Sequence, residues 1–224
     1  MIEKLDTNYG TMFVPDNDQG QYWWLKNTGR SPENEFIELV CGILDGLPPG
    51  VAVDVGANFG CWSLPLAKHA TRVMAFEPQW SVYNLLRSSI DANSLPIDLY
   101  CEAVGSRHDF IDIPDTDTTR ESNFGCVEVG RPHPEHPEIP MIAVPLVMLD
   151  RKCRDKTVSF IKADVEGYET EVLKGALQTI HRCKPVMFVE ANHPRTDSNA
   201  LGNFIQSLGY NVEVQLDNFL CMPL

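Results

Sequence analysis

VAVDVGANFGCW, residues 51–62, is the stretch that decides the fold. Its first five residues are apolar except for Asp54, which is typical of a strand buried on both faces. A turn with Gly56 and Gly60 follows, and helical spacing of apolar residues begins after it. In an open parallel sheet, ligands bind beyond the carboxyl ends of the strands. A glycine turn at that edge lets the backbone approach a ligand without an intervening side chain, so these residues predict a ligand site.

Strand-like and helix-like segments alternate through the rest of the chain. The predicted strands after VAVDV are RVMAFEP, IDLYCEAVG, VSFIKADV and PVMFVEA, followed by a terminal hairpin in residues 210–224. Helical spacing of apolar residues predicts helices over 59–69, 82–92, 168–180 and 198–209. This alternation predicts an α/β fold, in which a doubly wound (Rossmann-like), mostly parallel sheet carries helices on both faces.

Two segments lie outside the alternating pattern. Residues 1–48 form an N-terminal extension, in which TMFVP predicts a short strand and Ser31-Pro32 predicts the start of a helix that Gly46 ends. Residues 114–140 are polar, hold five prolines and are too long for a simple connection. We expect this second segment to be a long loop or a lid, and residues 1–224 to form one domain.

Composition and charge narrow the function classes. The 224 residues carry a formal net charge of −13, so most of the surface would repel nucleic acid and anionic membranes. No apolar run approaches the roughly 20 residues that a membrane-spanning helix needs. The seven cysteines are scattered and include no C-x-x-C pair, which favours reduced thiols over disulfides or a zinc site. We therefore expect a cytoplasmic protein without a nucleic-acid partner or a membrane span.

The glycine turn lacks the features of the two common phosphate-binding loops. The dinucleotide signature G-x-G-x-x-G needs a middle glycine that this turn does not have, and the pattern G-x-x-x-x-G-K-[ST] is absent. Asp54 stands two residues before Gly56 and suits a ligand with positive charge, such as S-adenosylmethionine. Glu77 follows Gly56 by 21 residues, the distance at which an acid accepts hydrogen bonds from ribose hydroxyls. The third predicted strand ends with Glu102 and Ala103, which could meet the adenine ring.

The segments VDVGANFGCWSLPLAK, VMAFEPQ, EAVGS, FIKADVEGYETEVLKGA and PVMFVEAN resemble the FkbM-type family of S-adenosylmethionine-dependent methyltransferases. The resemblance covers about residues 10–222, and the block DVEGYE with the preceding Ile-Lys is its most distinctive part. It implies a class I methyltransferase sheet of seven strands with an antiparallel last strand. It also implies O-methylation of a hydroxyl group on a sugar or another small metabolite. By the same resemblance, the cofactor would be lined by Asp54, Gly56, Asn58, Gly60 and Glu77.

S-adenosylmethionine is therefore the predicted cofactor. The residues expected to bind it are Asp54, Gly56, Ala57, Asn58, Gly60, Glu77, Pro78, Glu102 and Ala103. Two other function classes stay open, namely an NAD-type oxidoreductase and a cofactor-binding interaction module without catalysis. The missing middle glycine and Asp54 argue against the first. The candidate catalytic residues Asp164, Glu190 and His193 argue against the second.

Methyl transfer to a hydroxyl group needs an aligned acceptor and a group that takes its proton. Candidates follow the fourth and fifth predicted strands, where the sheet opens toward the ligand, and Glu166 and Glu169 at the start of the next helix are further candidates. The predicted catalytic residues are Lys162, Asp164, Glu190 and His193. Lys162 and Asp164 share one face of their strand, because alternate residues point the same way. His193 is the residue type best suited to act as a base at neutral pH.

Several of these residues also have a purely structural interpretation. Asp164 or Glu166 could cap the helix that follows, and Glu169 near its start would stabilise the helix dipole. His133 and His136 would reach the site if residues 114–140 closed over it, but we expect them to be exposed loop residues.

A metal ion is an alternative at the same strand ends. Asp164, Glu190 and Asn192 could hold Mg²⁺, since oxygen atoms are the ligands it prefers. The spacing Glu-Ala-Asn after the fifth strand is irregular, however, and the resemblance does not require an ion. Metal-free transfer is therefore the expectation.

Overall fold

The computed structural model describes all of residues 1–224. In chain order the strands are β1 (Ile2–Thr7), β2 (Gly10–Pro15), β3 (Val51–Val55), β4 (Arg72–Phe76), β5 (Ile97–Tyr100), β6 (Ala103–Val104), β7 (Asp109–Pro114), β8 (Met141–Val147), β9 (Val158–Ala163), β10 (Val186–Glu190), β11 (Tyr210–Gln215) and β12 (Asn218–Pro223). The helices are α1 (Tyr22–Thr28), α2 (Asn34–Asp45), α3 (Ser63–Leu66), α4 (Trp80–Asn93), α5 (Leu149–Lys152), α6 (Glu169–Lys174), α7 (Leu177–Cys183) and α8 (Ser198–Ser207).

Seven strands form the central sheet in the order β11-β12-β10-β9-β3-β4-β5. The five strands from β10 to β5 are parallel, whereas β12 runs antiparallel to both β10 and β11. This confirms the predicted doubly wound, mostly parallel sheet with an antiparallel last strand. The chain leaves β3 toward β4 and β5 and later returns to β9 and β10 on the other side. A crevice therefore opens between the carboxyl ends of β3 and β9, where the strand order reverses.

The central sheet is buried on both faces, which explains its uninterrupted apolar strands. Along β3, Ala52 packs into one core with the N-terminal extension, α2, α3 and α4. Its neighbours Val53 and Val55 pack into a second core with α6, α7 and α8. Alternate residues of one strand thus feed opposite cores. By the same alternation Asp54 lies on the face of Ala52, and it is fully buried.

A second, three-stranded sheet was not expected. IDLYCEAVG is predicted as one strand, but β5 ends at Tyr100 and the chain leaves the central sheet. Ala103 and Val104 then pair with β8, which itself pairs antiparallel with β7. The strand is interrupted next to Glu102, whose carboxylate lies 2.6 Å from Lys152 Nζ. Residues 115–140 connect β7 to β8.

Three predicted helices differ in their bounds. The segment 59–69 is helical only over α3, because Gly60 has φ 95° and holds the chain in the preceding turn. The predicted helix 168–180 is divided into α6 and α7 near Gly175, where an added Cβ would lie 2.0 Å from the Gly105 carbonyl oxygen. Helix α2 begins at Asn34 and not at Ser31, whose hydroxyl accepts a hydrogen bond from the Glu33 amide.

The N-terminal extension packs on α4 and reaches the crevice. Strand β2 contacts α4 through hydrogen bonds from the Thr11 amide to Asn93 and from the Phe13 amide to Ser89. Farther along, Asp18 forms an isolated parallel bridge with Ser122 in the 115–140 connection. The extension and that connection therefore meet above the carboxyl edge of the sheet. None of the helices is long and apolar enough to cross a membrane.

Candidate functional site

A cavity of about 280 Å³ opens at the carboxyl ends of four central strands. Its lining includes Gly56 after β3, Glu77 after β4, Lys162 and Asp164 at the end of β9, and Glu190 at the end of β10. These positions surround the point where the strand order reverses, which is the usual ligand site of an open α/β sheet. The cavity thus lies where the glycine turn predicted a ligand.

The glycine turn is fixed to its neighbouring strands by backbone contacts. The amides of Gly56 and Ala57 both donate to the Phe76 carbonyl oxygen, at 3.1 and 3.0 Å. Gly56 has φ 80°, and a Cβ there would lie 1.9 Å from the Asp164 carbonyl oxygen, so only glycine fits. Gly60 faces Leu64 and Leu86 and lies outside the cavity lining. One glycine therefore shapes the ligand edge, and the other permits helix packing.

Glu77 connects the glycine turn to the second strand end. Its Oε2 accepts a hydrogen bond from the Asn58 amide at 2.9 Å, and its Oε1 accepts one from the Gln79 amide at 2.9 Å. The side chain is 3% exposed, and this burial raises the pKa of Glu77 to about 7 against the effect of the two amides. Each carboxylate oxygen can accept a further hydrogen bond. Glu77 can therefore accept hydrogen bonds from the hydroxyl groups of a ligand in the cavity.

Lys162 lies between two carboxylates and the glycine turn. Its Nζ is 3.2 Å from Asp164 Oδ2 and 3.8 Å from Asp54 Oδ1, and it donates to the Gly56 carbonyl oxygen at 3.1 Å. Burial alone lowers the pKa of Lys162, but the charges of Asp164 and Asp54 outweigh it and hold that pKa above its usual range. Asp54 also accepts a hydrogen bond from Ser63 Oγ at 2.5 Å and does not line the cavity. Asp54 thus faces Lys162, and its contact with the cofactor stays a prediction.

Three carboxylates stand together on the other side of the cavity. Asp164, Glu166 and Glu190 each bring an oxygen within 4.8 Å of the other two. Burial, followed by the charge of Asp164, raises the pKa of Glu166 to about 8 and that of Glu190 to about 9. Carboxyl groups of this kind hold protons near neutral pH and can exchange them with a bound hydroxyl.

The structural alternatives for these acids are resolved by helix α6. Its N-cap position is Tyr168, and no side chain caps it, so neither Asp164 nor Glu166 has that role. Glu169 Oε1 instead accepts hydrogen bonds from the amides of Val165 and Gly167, at 3.0 and 3.1 Å. Glu169 thereby holds the loop that carries Glu166, whose backbone has the left-handed φ of 54°.

Several predicted site residues lie away from the cavity. The Asn192 amide donates to Asp217 Oδ1 at 2.7 Å, and its side chain is exposed. Glu102 pairs with Lys152, and Ala103 packs in the three-stranded sheet. His193 stands behind Glu166, with its Nε2 3.5 Å from Glu166 Oε2. The predicted site residues that line the cavity are Gly56, Ala57, Asn58, Glu77, Pro78, Lys162, Asp164 and Glu190. The roles assigned to both groups stay predictions.

The 115–140 connection contributes part of the lining, including Phe124, Gly125 and Val127. His133, expected to be exposed, is 1% exposed. Its Nδ1 accepts hydrogen bonds from the amides of Glu135 and His136, and its Nε2 faces Ser122 Oγ at 3.0 Å. His133 therefore holds the loop together, and the expectation of an exposed loop residue was wrong.

A group of cavity residues was not predicted from the sequence. They are Gln21, Glu33, Gln79 and Phe124. Glu33 accepts a hydrogen bond from Trp62 Nε1 at 3.0 Å, which ties helix α2 to the cavity wall. Such residues reach the site through tertiary contacts.

A family model for the methyltransferase FkbM domain matches residues 54–212 of this chain. No curated protein matches the sequence. Among solved structures, an FkbM methyltransferase of Methylobacillus flagellatus KT is similar with a TM-score of 0.54 and 24% identity, over 77% of this chain and 43% of that chain. This chain thus spans less than half the length of that relative.

Two further structures share the fold at lower identity. A candidate methyltransferase of Streptococcus mutans, solved in complex with S-adenosylhomocysteine, matches 83% of this chain and 94% of its own, with a TM-score of 0.51 and 13% identity. A candidate RNA methyltransferase of Pyrococcus horikoshii matches 92% of this chain and 89% of its own, with a TM-score of 0.50 and 12% identity. These likenesses show the fold of class I methyltransferases.

Proposed function

The chain belongs to the FkbM family of methyltransferases, and from that premise we propose that it moves the methyl group of S-adenosylmethionine to a hydroxyl oxygen of a small neutral acceptor, such as a sugar. The observation that carries the proposal is the buried carboxylate of Glu77 beside a glycine turn, at the reversal of strand order. This arrangement suits a ribose and an adjoining cationic group.

The cavity fits the cofactor on its own geometry. Backbone alone borders it at Gly56, where a side chain would collide with the Asp164 carbonyl. Glu77 offers free acceptor positions to ribose hydroxyls, and Ala57, Asn58 and Pro78 complete that wall. When bound, the cofactor supplies a methyl carbon activated by a sulfonium. Asp164 brings a carboxylate to the lining of the same cavity, which favours a cationic centre nearby.

We assign removal of the hydroxyl proton of the acceptor to the carboxylates of Asp164, Glu166 and Glu190. A base works best when its pKa is close to the working pH, and burial raises the pKa of Glu166 to about 8. Asp164 is the acid held in place by Lys162, at 3.2 Å, and lines the same wall. His193 does not line the cavity and would act through Glu166. Alignment of the acceptor oxygen with the methyl carbon supplies the rest of the rate enhancement.

The charge of the cavity supports an acceptor without phosphate. The titratable side chains of the lining are Glu33, Glu77, Asp164, Glu166 and Glu190 against the single cation Lys162, and one cysteine, Cys61. Lys162 is already committed to Asp54, Asp164 and the Gly56 carbonyl. A phosphate or carboxylate would find no free cation there, and its charge would oppose ionisation of the acids around it. The proposal therefore excludes nucleic acid, and the seven unpaired cysteines support a reducing, cytoplasmic setting.

A methyl-transfer screen tests the proposal. The protein is incubated with S-adenosylmethionine and neutral sugars or polyols, each paired with its phosphorylated counterpart, and products are identified by mass spectrometry. We expect an O-methylated product from at least one neutral acceptor and none from its phosphorylated form. Methylation confined to phosphorylated compounds, to RNA or to carbon and nitrogen atoms would contradict the proposal.

A further inference from the structure

We propose that Gln79 is a positioning residue that couples cofactor binding to the placement of residues 116–125, here called the roof segment. The inference rests on the cofactor site proposed above. It concerns a different feature, namely how the roof segment is held against the glycine turn.

Gln79 reaches in two directions from the cofactor acid. Its backbone amide donates to Glu77 Oε1 at 2.9 Å. Its side-chain Nε2 donates to the Phe124 carbonyl oxygen at 2.9 Å, and its Oε1 accepts a hydrogen bond from Thr116 Oγ1 at 2.8 Å. Because a carbonyl oxygen only accepts, the contact with Phe124 fixes which end of the amide faces it. The side chain is 6% exposed, so these hydrogen bonds are shielded from water.

The roof segment lies directly against the glycine turn. The ring of Phe124 packs edge-on against Phe59, with centroids 6.1 Å apart. At Gly125, an added Cβ would lie 3.3 Å from Asn58 Nδ2. Phe124, Gly125 and Asn58 all line the cavity. A ligand in this cavity would therefore contact both the turn and the roof.

Residues 77–79 hold both of these walls. Glu77 Oε2 binds the turn through the Asn58 amide, while Gln79 binds the roof through Phe124 and Thr116. On its outer side the roof segment is held by the N-terminal extension, through backbone hydrogen bonds between Ser122 and residues 17 and 19. Gln79 thus anchors the roof from inside the cavity, next to the acid that would hold the ribose.

A coupling follows from this arrangement. A ligand that bonds to Glu77 restrains the backbone at Gln79, and an ordered Gln79 restrains the roof. Coupling between two elements is reciprocal, so an ordered roof also raises the affinity for the ligand. Loss of the Gln79 side chain should weaken cofactor binding and uncouple the roof, without removing any direct contact with the ribose.

Binding of S-adenosylhomocysteine by calorimetry and hydrogen exchange by mass spectrometry test this coupling. In the unaltered protein, saturating ligand should slow exchange in both residues 56–60 and residues 116–125. In Gln79→Ala we expect affinity to fall about tenfold, as expected for buried hydrogen bonds. At saturating ligand, protection of 56–60 should remain while protection of 116–125 is lost. Gln206→Ala, at an exposed position of α8, is the matched control and should behave as the unaltered protein does.

Two smaller changes keep the test decisive if Gln79→Ala does not fold. Thr116→Val removes one of the two roof contacts and should lose about half of the ligand-induced protection there. Gln79→Glu keeps the acceptor for Thr116 but not the donor to Phe124, so it should not restore the coupling. Undiminished roof protection in these variants, or no protection of 116–125 in the unaltered protein that binds ligand, would overturn the inference. A protein that shows the coupling but methylates no hydroxyl would instead refute only the proposed function.

Discussion

The Lys162 ammonium lies 3.2 Å from the Asp164 carboxylate at the carboxyl end of β9. The same ammonium donates to the Gly56 carbonyl oxygen, so one buried cation joins the end of β9 to the glycine turn after β3. The distance between the predicted cofactor edge and the predicted acceptor wall is set by this contact. Lys162 therefore positions the end of β9 relative to the glycine turn, and its charge is balanced by Asp54 and Asp164.

Replacing that cation should destabilise the fold. Lys162→Met leaves Asp54 fully buried without its counter-charge, and removing one partner of a buried ion pair costs about 3–5 kcal/mol. Urea denaturation measures the change in the free energy of unfolding. Lys174→Met is the control, because Lys174 forms an exposed pair with Glu171 and should cost about 1 kcal/mol or less. Similar losses in the two variants would contradict the buried-pair interpretation.

The carboxylates of the cavity should make stability fall as pH rises. The pKa values of Glu77, Glu166 and Glu190 are raised to about 7, 8 and 9, from an ordinary value of 4.5. At pH values between the ordinary pKa and the raised pKa of each group, the folded chain holds protons that the unfolded chain has released. The free energy of unfolding therefore decreases with increasing pH. Glu190→Gln should flatten this decline in urea denaturations from about pH 5 to about pH 9, whereas the exposed Glu35→Gln should not. An unchanged pH dependence in Glu190→Gln would show that burial does not raise its pKa.

Proton transfer through carboxylates should not depend on a metal. Asp164→Asn should reduce the methyl-transfer rate by roughly 10²–10⁴-fold. Its affinity for S-adenosylhomocysteine should stay close to that of the unaltered protein, and a chelator should leave turnover of the unaltered protein intact. If the chelator abolished turnover and an added divalent ion restored it, Asp164, Glu166 and Glu190 would instead be ligands of that ion.

Local sequence patterns were enough to predict the central sheet and its ligand edge. The apolar pattern predicts β3 and the strand that follows it. The glycine turn after β3 and Glu77 after the next strand were therefore both expected at the carboxyl edge of the sheet. The number of seven strands and the antiparallel last strand, β12, came from the family resemblance and were confirmed. The features predicted from pattern alone share that each depends on residues close together in the chain.

The features that were missed depend on distant contacts. The apolar period of residues 168–180 continues through Gly175, and the break between α6 and α7 occurs where Gly105 approaches that glycine. Phe124 reaches the cavity from a proline-rich segment whose composition gives no period. Asn192 follows β10 as expected, yet its amide turns to Asp217 in the terminal hairpin. None of these outcomes has a signal within a few residues of the position concerned.

The most direct test of the account is the affinity of S-adenosylhomocysteine for Glu77→Ala. If Glu77 receives the ribose hydroxyls, the substitution removes charge-assisted hydrogen bonds worth about 1.5–3 kcal/mol. Calorimetry should then show binding weakened roughly tenfold or more, since about 1.4 kcal/mol corresponds to a factor of ten. Circular dichroism and thermal unfolding establish that the variant is folded. A folded Glu77→Ala protein that binds S-adenosylhomocysteine as tightly as the unaltered protein would contradict the assigned cofactor site.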